Sequence, residues 1–190
     1  MSTDPKRRDF IFIATGAVAA FGTIAVVRPV LGHMMPAADD STAAGVEVDL
    51  SLLEEGQQLK VVPFGKPIVI RHRTPDEIAA ARADDGLDFK DSATDASRLR
   101  PHADGKRDPR FLIVHPICSH MGCVVVFEAG DFDGSYCPCH GAHFDTSGRV
   151  RKGPAPTNLE VPAYSWVSDT VIKLEHPVAF RAKELLAPRR

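Results

Sequence analysis

The sequence predicts a mainly β fold: an antiparallel β-sandwich domain with a small subdomain, one short helix in an insertion, and a single amino-terminal transmembrane helix. Three observations predict it. From residue 46 onward, short β-branched runs recur between turn signals, at 46–50, 59–62, 67–71, 111–115, 123–127 and 170–174. Fifteen prolines in 190 residues argue against a helical body. An uncharged apolar run from Phe10 to Val27 stands apart from everything that follows.

Composition narrows the function. The 23 basic and 25 acidic residues leave a net charge of −2, which excludes an electrostatic nucleic-acid binder. With 44% hydrophobic and 25% charged residues the chain folds rather than staying disordered. Four cysteines are too few for a disulfide scaffold at this length, so each needs its own reason.

At the amino terminus, Lys6, Arg7 and Arg8 precede the apolar run, which ends at Arg28. Its eighteen residues would span roughly 27 Å as a helix, just enough for a bilayer core. The cationic flank keeps the amino end in the cytoplasm. Paired arginines before such a run resemble a twin-arginine export signal, and no small-x-small cleavage site follows, which favours a retained anchor. The division read from this is a leader and anchor at 1–33, a flexible linker at 34–45, and an exported domain at 46–190, with the cluster-binding part at about 115–156.

One helix start is legible inside the domain. Thr74-Pro75-Asp76-Glu77 offers an N-cap threonine, proline at the first helical position and glutamate at the third. The stretch 84–110 is polar and without apolar period, and reads as a surface insertion. The tail beyond 174 has no assigned role; a short helix is expected at 179–186.

All four cysteines lie in two short pieces, Cys118-Ser119-His120-Met121-Gly122-Cys123 and Cys137-Pro138-Cys139-His140-Gly141. This spacing suits one metal site between two facing loops, with Gly122 and Gly141 allowing close backbone approach. Three chemistries compete. A Cys₂His₂ zinc site has the ligand count but not the usual ligand order. A Cys₄ iron–sulfur cluster leaves the two histidines unexplained. A [2Fe–2S] cluster on Cys118, Cys137, His120 and His140 leaves Cys123 and Cys139, which can pair in an oxidising compartment.

The two motifs together resemble the Rieske iron–sulfur family, and the extra cysteine in each loop resembles its cytochrome bc branch. Gly153-Pro154-Ala155-Pro156 is similar to the proline loop that covers the cluster there. The resemblance runs from about residue 6 to residue 174. It implies that Cys118 and Cys137 hold the inner iron and His120 and His140 the outer one. It also implies a Cys123–Cys139 disulfide, and a role for His140 in bonding quinol and receiving its proton. Met121 takes the apolar position, usually Leu, that meets the quinol-binding subunit. Ala142 and Phe144 depart from the pattern: high-potential members carry Ser and Tyr there, whose hydroxyls bond cluster-side sulfurs.

The implied function is electron transfer within a quinol–cytochrome c oxidoreductase, with a cytochrome b subunit and a membrane-anchored c-type cytochrome as partners. The setting is a dimeric complex of a bacterial inner membrane, with the soluble domain in the periplasm. The alternative is the Rieske small subunit of an exported molybdenum oxidase of the arsenite oxidase type. Of the other histidines, His115 reads as structural, His143 as a surface residue or a support behind the ligands, and His33, His72, His102 and His176 as surface residues. Trp166 and the run 124–127 read as core.

Overall fold

The computed structural model describes residues 5–34 and 45–176, which form two units: a helix, and the domain that starts at Gly45. Most of the linker expected at 34–45, and the tail helix expected at 179–186, lie outside the described residues.

Helix α1 spans Pro5–His33 and is apolar enough to cross a membrane, with a mean hydropathy of 2.3 in its best window. Its 29 residues measure roughly 43 Å, longer than the apolar run alone. Thr23 bonds back to the Ala19 carbonyl at 2.8 Å, so its hydroxyl needs no outside partner.

The domain is built on two three-stranded antiparallel sheets. One runs β1 (Val46–Asp49), β10 (Val171–Leu174), β9 (Tyr164–Trp166); the other runs β2 (Gln58–Val61), β3 (Ile68–His72), β4 (Phe111–Val114). Leu50, Tyr164, Ile172 and Leu174 from the first side meet Ile68, Ile70, Phe111 and Ile113 from the second in one sealed core. A four-stranded antiparallel sheet, β5 (Val126–Phe127), β6 (Asp133–Cys137), β7 (Ala142–Asp145), β8 (Val150–Lys152), carries the cysteine and histidine loops.

Strand β4 explains how base and loop subdomain are joined. Alternate residues of a strand face opposite ways. Phe111 and Ile113 enter the sandwich core, while Leu112 and Val114 enter a second core with Cys118, Val125, Cys137, Phe144 and Leu159. The uninterrupted Phe-Leu-Ile-Val run is thus a strand buried on both faces.

Helix α2 (Pro75–Ala83) starts where the capping residues place it. Thr74 accepts from the Glu77 N–H, and Glu77 accepts from the Thr74 N–H at 2.8 Å. The other carboxylate oxygen of Glu77 takes Arg71 at 2.7 Å, tying the helix start to β3.

Four readings from sequence need correction. The stretch 84–110 is not a superficial insertion: Phe89, Asp95 and Leu99 are buried, and its side chains grip the loop subdomain. The apolar run 124–127 is not uniformly core. Only Val125 is buried, Val124 and Val126 are about half exposed, and the strand begins at Val126. His72 is not a surface residue, since its Nδ1 lies 2.7 Å from the Leu53 carbonyl and its ring packs on Phe111. His102 likewise stacks on Trp166, centroids 4.1 Å apart. His115 is buried with Nδ1 2.8 Å from the Pro67 carbonyl, as a structural histidine would be.

Candidate metal centre

The two loops make the same turn. The Gly122 N–H bonds the Cys118 carbonyl and the Gly141 N–H bonds the Cys137 carbonyl, both at 3.0 Å. Both glycines have φ above +70°, a left-handed backbone that favours residues without a β-carbon. The loops sit at the ends of two pairings, the isolated bridge Ile117–Val124 and the hairpin β6–β7. Cys118 and Cys137 therefore point into the second core, each only 1% exposed. His120 is half-buried and His140 exposed, their rings edge to face with centroids 4.7 Å apart.

This donor set fits a metal cluster. Burial pushes the Cys118 thiol up, the His120 N–H pulls it down, and the adjacent Cys137 sulfur pushes it up again. The net effect resists ionisation of Cys118, and a cationic centre beside it would remove that resistance. His120 Nδ1 is buried with no hydrogen-bond partner among the described residues. A buried nitrogen left so is costly unless it has a ligand to bind.

The disulfide stands beside this set. Cys123 and Cys139 are joined across the two loops. Their sulfurs and that of Cys137 lie within 4.8 Å of one another. That trio is no separate metal site, because a disulfide has no thiolate to offer. It is the clamp that braces Cys137.

The third wall is residues 153–159. Gly153 comes against Gly141, and Ser119 Oγ donates to the Thr157 carbonyl at 2.6 Å, linking this wall to the first loop. Of the other residues expected near the site, Met121 is 72% exposed at the tip with Gly122, while Ala142 and Phe144 are sealed beneath it. Pro154 is exposed on the covering loop. His143 lies outside, its Nδ1 accepting from the Asp131 N–H at 3.0 Å.

Sequence reasoning missed the grip of the 84–110 stretch. Lys90 Nζ donates to the Gly153 carbonyl at 2.5 Å, and Asp91 accepts from the Asn158 N–H at 2.9 Å while its carbonyl takes the Asn158 amide. Asp85 and Asp145 hold the fully buried Arg149, both at 2.6–2.7 Å. Apart from the local Asp145–Arg149 pair, these contacts join residues more than sixty positions apart, and no local pattern announces them.

Comparison with known proteins decides the family. Residues 96–165 match the Rieske [2Fe-2S] domain, and residues 1–37 match a family described as Ubiquitinol-cytochrome C reductase Fe-S subunit TAT signal. The ubiquinol-cytochrome c reductase iron-sulfur subunit of Bradyrhizobium diazoefficiens is 46% identical over 171 residues, covering 90% of this chain and 94% of its own. This chain belongs to the Rieske iron–sulfur subunits of the cytochrome bc complex. The Rieske subunit of the mitochondrial cytochrome b-c1 complex of Saccharomyces cerevisiae is also 46% identical, over 163 residues, covering 86% of this chain and 73% of the yeast protein. The Blastochloris viridis reductase subunit is 44% identical over 179 residues, 94% of this chain and 97% of its own. The family carries a [2Fe–2S] cluster and works as an electron-transfer subunit of an oxidoreductase, so the molybdenum-oxidase reading is set aside. The amino-terminal match agrees with α1 as a membrane anchor.

Proposed function

We propose that Cys118 and Cys137 hold the inner iron and His120 and His140 the outer one, and that this chain passes electrons from quinol to a c-type cytochrome. The cluster, when bound, supplies one-electron redox chemistry. The observation that carries the assignment is the gradient of burial: both thiols are sealed in the core, while His140 is exposed and His120 half-exposed at one edge. Sealed thiolates and accessible imidazoles give the site a closed inner face and an open outer face.

His120 Nδ1 is turned inward. An imidazole ligated through Nδ1 presents Nε2 outward, so Nε2 of His140 is the atom that accepts the quinol hydrogen bond and then its proton. Met121, exposed beside it, offers an unbranched apolar side chain that adapts to a docking surface on a cytochrome b subunit. Gly122 and Gly141 keep the tip narrow. Gly153 and Pro154 cover the side and exclude water.

The remaining assignment follows from the leader. The anchor at 1–33 crosses a bacterial inner membrane once, the linker at 34–45 gives the domain at 46–190 reach, and the cluster-binding part at about 115–156 faces the periplasm. A movable domain suits a site that meets two partners in turn, within a dimeric complex and with no role for nucleic acid. The test is purification from membranes through a tag on this chain. A cytochrome b and a c-type cytochrome should copurify, with an iron signal showing two nitrogen ligands. Loss of that nitrogen signature in both His120→Gln and His140→Gln supports the ligand set; its retention in either overturns it.

A further inference from the structure

A cavity of about 490 Å³ opens behind the inner cysteine of the first loop. Arg98, Cys118, Ser119, Asn158, Leu159 and Glu160 are among the residues that line it. Arg98 belongs to the 84–110 stretch, whose sequence gave no hint of a role. Its position is fixed: Nε donates to the Ser147 carbonyl at 3.2 Å and Nη2 to the Leu159 carbonyl. Both acceptors are neutral, and Arg98 makes no ion pair among the described residues. The carboxylates that act on it from a distance are Asp91 and Asp145, and Asp145 is already bonded to Arg149 at 2.7 Å. A largely desolvated cation held by carbonyls is expensive unless a charge nearby offsets it. Cys118 lines the same cavity, and a cluster held there would gain its negative charge on reduction.

We propose that Arg98 sets the reduction potential of the cluster by its charge, acting across this cavity on the Cys118 side without touching it. The proposal rests on the cluster assignment above. Two thiolates would balance the double positive charge of an oxidised [2Fe–2S] core with neutral imidazoles, so one-electron reduction would leave the site with one net negative charge. A fixed cation nearby stabilises the reduced form, and protein walls weaken that effect less than water does. Asp91 acts in the opposite sense. Arg98 is therefore a positioning residue in the electrostatic sense. It supplies some of the stabilisation that hydroxyl-free Ala142 and Phe144 do not, and so bears on which quinols can reduce this chain.

The test is a redox titration followed by the iron signal, on the full chain in its membrane complex at fixed pH. Arg98→Gln should lower the equilibrium constant for reduction about tenfold, a fall of about 59 mV for one electron. Arg98→Lys keeps the charge and should retain most of the potential, although it cannot bond both carbonyls. Asp91→Asn keeps an oxygen for the Asn158 N–H, removes the opposing charge, and should raise the potential. A merely structural arginine would show the reverse pattern, with melting temperature falling in both Arg98 variants and potential unchanged. Unchanged potential in Arg98→Gln, or an equal fall in Arg98→Lys, overturns the proposal. If Arg98→Gln fails to assemble, Asp91→Asn decides by sign, and a fall or no change defeats it. Absence of any reducible iron signal in the unmodified chain would instead defeat the cluster assignment.

Discussion

Gly153 faces Gly141 so closely that a β-carbon at position 153 would lie 2.4 Å from the Gly141 carbonyl oxygen and 2.7 Å from the Ala142 α-carbon. The covering loop therefore touches the second ligand loop backbone to backbone. Lys90 fixes the same residue from the far side by bonding its carbonyl. Three segments distant in sequence thus meet at one glycine, and the seal over Cys137 depends on its having no side chain.

Gly153→Ala should break this seal. Its φ of +93° is strained for alanine, costing about 1–3 kcal/mol, and overpacking against backbone adds about 1–3 kcal/mol more. The sandwich core lies elsewhere and should survive. Iron content per chain should fall while the β circular-dichroism signal stays. Full iron occupancy with an unchanged melting temperature would contradict the close approach.

Replacing Cys123 and Cys139 together by serine should loosen both ligand loops. The bond joins cysteines 16 positions apart, and a crosslink of that span contributes about 3 kcal/mol by restricting the unfolded chain. Its local effect falls on the ligand loops, because the Cys137 sulfur lies within 4.8 Å of both bonded sulfurs. Iron occupancy should drop further than the melting temperature of the base predicts. In the unmodified exported protein, alkylation without reductant followed by mass spectrometry should label neither cysteine.

How much of this was legible depends on how far apart the partners lie. The helix start at Thr74, the strands at 46, 59, 67, 111 and 170, and the two cysteine–histidine loops are local patterns, and the structure places each of them close to where its pattern begins. Strands β6, β7 and β8 were not anticipated: their residues include Gly134, His143, Asp145 and Arg151, which break apolar alternation. Gly134 is required there, since a β-carbon would meet the Asp145 backbone at 2.2 Å. The 84–110 stretch misled for the opposite reason. Its charges look solvated, yet Asp85 finds Arg149, Asp91 finds Asn158, and Asp95 finds both Arg73 of the base and Ser147 of the loop subdomain, partners that only the fold brings near.

Acid should release that grip. Burial pushes the Asp95 carboxyl up, but the bonds and charge of Arg73, the Ser147 hydroxyl and the Arg149 charge outweigh it, and the net position is below the ordinary value. Arg82 adds a looser ion pair at 4.0 Å. A carboxyl lowered on folding contributes stability that is complete above its unfolded pKa, roughly 4, and is lost as pH falls through the folded value. Asp95→Asn should therefore melt lower than the unmodified protein at pH 7, leaving buried Arg73 without its counter-charge. The gap should narrow as pH drops below about 4. A gap constant across that range would mean that ionisation of Asp95 contributes nothing.

Two positions beneath the site, Ala142 and Phe144, carry no hydroxyl. Ala142 pairs with Cys137 across the β6–β7 ladder, and Phe144 pairs with Ser135. Both side chains are sealed, in the same core as the two free cysteines. Donors aimed at sulfur stabilise the more negative, reduced cluster, so their absence lowers the potential. If each added bond favoured reduction by about 1 kcal/mol, Ala142→Ser and Phe144→Tyr would each raise the one-electron potential by roughly 40 mV. Ser135 supplies the control. Its hydroxyl is buried with no partner among the described residues, and it shares a face of β6 with Cys137. If Ser135 has taken over the missing donor role, Ser135→Ala lowers the potential and Phe144→Tyr adds little. If it has not, Ser135→Ala leaves the potential where it was and both hydroxyl-restoring substitutions raise it. Voltammetry on the full chain in detergent reads all three, and a potential unmoved by every one of them would sink the hydroxyl argument.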